Sequence, residues 1–209
     1  KLIFPEQTLF VAISGVRRSA IDYIPELYHR GVRAFLVAES VDTTLYPDAH
    51  FLQVPDTVKA LQQIAAHHRS RFNIPVIGIT GSNGKTIVKE WLYQLLQQDH
   101  VIVRSPRSYN SQIGVPLSVW QMNERHTLGI FEAGISAPGE MERLAAIIQP
   151  TLGVLTNIGD AHNEGFTGHA AKLAEKIRLF AHTPVLVAAK DCIDSPINYA
   201  GQLVTWGAG

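Results

Sequence analysis

The segment Thr80-Gly81-Ser82-Asn83-Gly84-Lys85-Thr86 sets two glycines, an ammonium and a hydroxyl into one short turn. That combination suits a nucleoside triphosphate with its divalent cation. Gly81, Ser82, Asn83 and Gly84 would offer backbone N–H groups to phosphate, the glycines removing the Cβ atoms that block close approach. Lys85 would reach the β/γ-phosphates and the Thr86 hydroxyl would ligate Mg²⁺. The strict pattern has a glycine six residues before the lysine, where this chain has Ile79. A plain strand-to-helix turn is the competing reading.

Other polar residues stand where apolar runs end. Glu132 follows the run 128–131 and fits a Mg²⁺ ligand, or the holder of its water; the alternative is a solvated loop carboxylate. His162 follows the run 152–156 and is read either as a metal ligand through a neutral ring nitrogen or as a loop histidine bonded to backbone. The helix carrying Lys172, Glu175, Lys176 and Arg178 has the charge pattern of a solvated face, which is the reading kept for Lys172 and Arg178. His67 and His68 read as solvated helix-end residues. Cys192, with no His or Cys at ligand spacing around it, reads as structural.

The elements that must position these groups alternate. Strands are expected at 76–80, 101–103, 128–131, 152–156, 185–189 and 203–205, with helices at 85–98, 112–122, 138–148 and 169–181. In the helix after the glycine turn, Val88, Trp91, Leu92 and Leu95 recur at helical spacing. Ahead of this lie a strand at 9–13, a helix at 21–30 ended by Gly31, a strand at 34–38, and a helix capped by Asp56 with Val58, Leu61, Ile64 and Ala65 facing inward. The polar stretch 70–74 marks a boundary, giving domains 1–72 and 73–209. The fold class is α/β: a small N-terminal α/β domain followed by a mostly parallel sheet with helices on both faces, which binds ligands at the carboxyl ends of its strands.

Lys+Arg 18 against Asp+Glu 18 leaves no net charge, so nothing electrostatic favours nucleic acid or an anionic membrane. No signal peptide is visible, and no apolar run approaches the roughly 20 residues that span a bilayer. A single cysteine is compatible with a reducing compartment. A cytoplasmic location is therefore expected. Lys1 sits almost at the start of a strand and 203–206 is a strand without a following helix, so the chain reads as a fragment.

Four motifs in order resemble the Mur ligase family, the ATP-dependent amide-forming enzymes of peptidoglycan synthesis. Residues 80–86 look like its phosphate loop. The run from Asn110 through Ile113, Gly114, Pro116 and Leu117 is similar to its N-x-x-I-G-x-P-L segment. Glu132-Ala133-Gly134 is similar to its E-x-G strand end, and Thr156-Asn157-Ile158 with His162 to its T-N-I-x-x-x-H loop. Within the family, Pro138-Gly139-Glu140, the run 162–166 and the run 9–15 resemble the branch that joins D-Ala-D-Ala to UDP-MurNAc-tripeptide. Ser19-Ala20-Ile21 departs from that branch, as does the stretch 189–192.

The resemblance implies an N-terminal domain for the UDP end of the precursor, a central ATP-binding domain, and a further closing domain that this chain lacks. It implies that Lys85, Glu132, His162 and Lys176 are catalytic, that Asn110 and Asn157 contact substrate, and that Thr86, Glu132, His162 and Lys176 hold magnesium. Lys176, by register on the helix after the histidine loop, would be carbamylated and thereby become an oxygen ligand. Other readings stay open: another Mur ligase or a folylpolyglutamate-synthase-like ligase, a P-loop kinase or NTPase, and a fragment that catalyses nothing alone.

Overall fold

A computed structural model describes residues 2–15, 19–159, 166, 168–193 and 199–207. His162 and its neighbours 160–165 lie outside the described residues. The chain forms two compact units, 1–61 and 62–209.

The first unit holds three parallel strands in the order β1 (Leu9–Val11), β2 (Ala34–Val37), β3 (His50–Gln53), with α1 (Ile24–His29) between the first two. Ile24, Val32, Phe35 and Val37 form its core, with Phe51 stacked on Phe35 at 5.0 Å. Strand β3 was not expected. Three of its four residues are exposed, so its sequence lacks the apolar run that marks a buried strand.

Helix α2 (Thr57–Ser70) begins in the first unit, with the Lys59 N–H donating to Asp56 as a cap. The division falls inside this helix rather than at 70–74, because its later turns pack on the second unit. Ala65 joins that unit's core. Arg69 is buried and donates to the carbonyls of Ile148 at 3.0 Å and Gln149 at 3.2 Å. His68 is also no solvated residue: its ring meets Trp120 at 4.6 Å, and Nε2 lies 2.9 Å from the Met122 carbonyl.

The second unit is a six-stranded sheet in which every adjacent pair is parallel. Its strands are β4 (Val76–Thr80), β5 (Ile102–Arg104), β6 (Leu128–Glu132), β7 (Leu152–Leu155), β8 (Val185–Ala189) and β9 (Gln202–Trp206), ordered β5-β6-β4-β7-β8-β9. All six expected strands are present. The alternation of strand side chains divides the core. Ile77, Ile79, Leu128 and Ile130 pack beneath α3 (Lys85–Leu96). On the other face, Val76, Phe131 and Leu155 join side chains of α4 (Gly114–Val119), α5 (Glu140–Ile148) and α6 (His169–Ile177).

The inward stripe of α3 is Val88, Leu92 and Leu96; Trp91 and Leu95, expected to share it, are exposed. Strand β4 is central, with β6 on one side and β7 on the other; the chain leaves it toward β5 and β6 and then crosses to β7 on the far side. At such a reversal the loops diverge and leave a crevice at the carboxyl edge.

Candidate functional site

The turn after β4 is shaped by two glycines. Gly81 has φ +147°, and a Cβ there would lie 1.9 Å from Thr156 Oγ1. Gly84 has φ +80° and caps α3. Lys85 and Thr86 open that helix, whose first-turn N–H groups have no intrahelical partner and attract anions.

The loop after β7 braces the turn. Thr156 Oγ1 donates to the Asn83 carbonyl at 2.6 Å. The Ser82 and Asn83 N–H groups donate, each at 2.8 Å, to the backbone and side-chain oxygens of Asn157. Asn157, expected to face substrate, thus has its side-chain oxygen engaged by the loop. Ser82 Oγ and Gly159 exchange further bonds at 3.0 and 3.2 Å.

Glu132 ends β6 with its side chain fully buried, so the solvated-carboxylate alternative falls. Its Oε2 accepts from the Thr86 hydroxyl at 3.0 Å, joining two of the expected metal donors. Oε1 lies 2.9 Å from Lys89 Nζ, yet among the described residues it is the buried side-chain oxygen that no hydrogen bond satisfies. Among the described residues no three His, Cys, Asp or Glu side chains converge. One hydroxyl and one carboxylate, whose Oε1 is under-satisfied, fit Mg²⁺, which keeps several waters and takes its remaining ligands from phosphate.

Three lysines gather at carbonyls of the two loops. Lys85 donates to the Gly81 carbonyl at 2.8 Å and Lys176 to the same oxygen at 3.2 Å. Lys172 donates to the Gly159 carbonyl at 2.6 Å and is buried, which corrects its reading as a solvated residue. Arg178 is half exposed beside Glu175. Burial, and after it the charges of Lys85 and Lys172, push the Lys176 amine down to about 8 from 10.5. Burial also lowers the pKa of Lys85, against an opposing pull from Glu132.

The helix bearing Lys172 and Lys176 is tied by Glu175, which accepts the N–H groups of Gly139 at 2.8 Å and Met141 at 3.1 Å at the start of α5. Asn110, Gln112, Gly134, Lys85 and Lys176 border a cavity of about 420 Å³ beside the loop. His162 cannot be set against this geometry, being outside the described residues. Cys192 is buried, with Sγ 4.0 Å from the Thr156 carbonyl, in keeping with a structural role.

Sequence reasoning missed Lys89 and Lys172. Lys89 follows Lys85 by four residues and Lys172 precedes Lys176 by four, so helical spacing placed each on the face of a residue already singled out.

Comparison with known proteins agrees with this architecture. The profile of the Mur ligase middle domain matches residues 79–199. A UDP-N-acetylmuramoyl-tripeptide–D-alanyl-D-alanine ligase of Synechocystis is 38% identical over 177 residues, covering 84% of this chain and 38% of its own length. A crystal structure of MurF from Acinetobacter baumannii superposes with TM-score 0.84 at 25% identity, covering 95% of this chain and 45% of that one. The MurF ligase of Thermotoga maritima, solved in complex with ADP, gives TM-score 0.79 at 29% identity over 88% of this chain and 43% of that one. The chain thus spans less than half of each of these relatives. Since the middle-domain profile covers more than half of its residues, the chain belongs to the Mur ligase family.

Proposed function

We propose that the chain is the nucleotide-handling part of an ATP-dependent ligase that joins D-Ala-D-Ala to UDP-MurNAc-tripeptide through an acyl phosphate. The first unit holds the UDP end of the precursor, and the second holds ATP. The observation that carries this reading is the meeting of Thr86 and Glu132, 3.0 Å apart, beneath the glycine turn of a Mur ligase middle domain. The name of the Synechocystis relative, and the ADP in the Thermotoga structure, support the choice of substrates.

A carboxylate does not acylate an amine unaided. In this mechanism it attacks the ATP γ-phosphate and displaces ADP; the dipeptide amine then attacks the resulting acyl phosphate, loses a proton, and inorganic phosphate leaves. Phosphoryl transfer of this kind is promoted mainly by positioning and by offsetting spread negative charge. Lys85 and the N–H groups of the 81–86 turn bind the phosphates. Thr86 and Glu132 would hold one Mg²⁺, with His162 and a carbamylated Lys176 holding a second. Bound there, magnesium neutralises charge on the phosphate oxygens. Asn110 orients the precursor at the rim of the cavity it shares with Lys85 and Lys176.

Carbamylation adds CO₂ to a neutral amine and releases one proton. Lys176 presents an amine whose protonated form is disfavoured first by burial and then by the charges of Lys85 and Lys172, which supports the modification. ¹³C-bicarbonate should give a carbamate resonance in the full-length protein that is absent from Lys176→Met.

The reading is tested by phosphate release from ATP in the full-length protein with UDP-MurNAc-tripeptide. Release should depend on D-Ala-D-Ala. Release indifferent to any amine would replace it with a kinase or hydrolase.

A further inference from the structure

Lys89 lies on α3 three residues beyond Thr86, on the same helical face. It is fully buried, and its Nζ stands 2.9 Å from Glu132 Oε1. The ammonium also donates to the carbonyl of Ser105 at 2.8 Å and to that of Arg107, and it lies 3.2 Å from Glu90. Glu90 is paired in turn with Arg104. The mechanism above uses Glu132 and gives Lys89 nothing to do.

We infer that Lys89 is a positioning residue whose buried ammonium holds the Glu132 carboxylate and the turn after β5 in the arrangement that receives the cation of a magnesium–nucleotide complex. The inference rests on the reading of Thr86 and Glu132 as magnesium donors. A carboxylate with no exposed side-chain surface is costly to bury without a cation beside it. Replacing a buried ion pair by apolar residues of similar volume is often neutral or stabilising, so stability alone is a weak reason for the pair.

Its geometry divides the carboxylate, with Oε1 facing Lys89 and Oε2 left to Thr86. The same ammonium fixes the turn. Arg107 has φ +51°, an unfavourable backbone state for a residue with a side chain, and its carbonyl is gripped by Lys89. Ser105 Oγ accepts the Glu132 N–H at 3.1 Å, and Ser108 Oγ reaches to 3.4 Å from Thr86 Oγ1. One cation therefore connects helix, turn and strand end around the proposed metal donors.

The test measures ATP affinity of the full-length protein with and without Mg²⁺, in the wild type, Lys89→Met and Lys89→Gln. Lys89→Gln retains amide donors for the two carbonyls and covers the case in which Lys89→Met does not fold. Mg²⁺ should tighten wild-type binding by about ten-fold or more, and folded variants by less than about three-fold. Metal-free affinity should stay within about three-fold of wild type, which a general loss of structure would not allow. A folded variant that keeps the wild-type response to Mg²⁺ overturns the role of Lys89. A wild type that shows no response overturns the Thr86–Glu132 cation site beneath it, and the inference with it.

Discussion

Replacing Lys176 by methionine should stabilise the ligand-free protein at neutral pH, by an amount that shrinks as the pH rises. The ammonium is buried beside Lys85 and Lys172, and its pKa falls from 10.5 to about 8. At about 1.4 kcal/mol per pKa unit, holding that proton costs the fold about 3 kcal/mol at pH 7. Between about 8 and 10.5 the unfolded chain binds more protons at this site than the folded one, so wild-type stability climbs through that window.

Methionine has nothing to titrate. Its advantage should shrink by about 2 kcal/mol between pH 7 and pH 9.5. The hydrogen bond from Lys176 to the Gly81 carbonyl is lost in the variant. That lowers the advantage without giving it this pH dependence. Urea unfolding of both proteins in CO₂-free buffer without nucleotide reads the quantity directly. An advantage that is the same at both pH values would refute the account of a crowded, desolvated ammonium.

Lys85→Ala should unfold within about 1 kcal/mol of wild type while ligation by the full-length protein falls by about 100-fold or more; ligation at the wild-type rate would remove Lys85 from the mechanism. Gly81→Ala should cost about 2–4 kcal/mol in urea unfolding, since the new methyl carbon would sit 1.9 Å from Thr156 Oγ1 at a backbone φ of +147°. Arg69→Met should cost about 2–3 kcal/mol by the same assay, because carbonyls near the end of α5 lose their donors; a neutral result would show that water replaces the guanidinium.

The sheet and the glycine turn were legible in the sequence because buried parallel strands are written as apolar runs and two glycines between a strand and a helix mark a tight turn. Glu132 was legible for the same reason, as an acid at the tip of such a run. Strand β3 was not, because a mostly exposed strand of four residues has no such run. Trp91 and Leu95 misled in the opposite direction: they are apolar at helical spacing yet exposed. Lys89 and Lys172 were hidden by the ordinary rule that a lysine on a helix points to water. Only the loops packed against those helices, with carbonyls aimed inward, reveal that the rule fails here.

The grip of Asn157 on the Ser82 and Asn83 N–H groups makes the resting turn a closed circuit of internal bonds. An incoming anion that uses these two donors exchanges one acceptor for another, and its affinity reflects only the difference. A lone inorganic phosphate gains little from such an exchange. On the proposed reading, a chain of phosphates that also met the lysines and the start of α3 would gain at several points at once, so the guard on the turn would act as a filter for length.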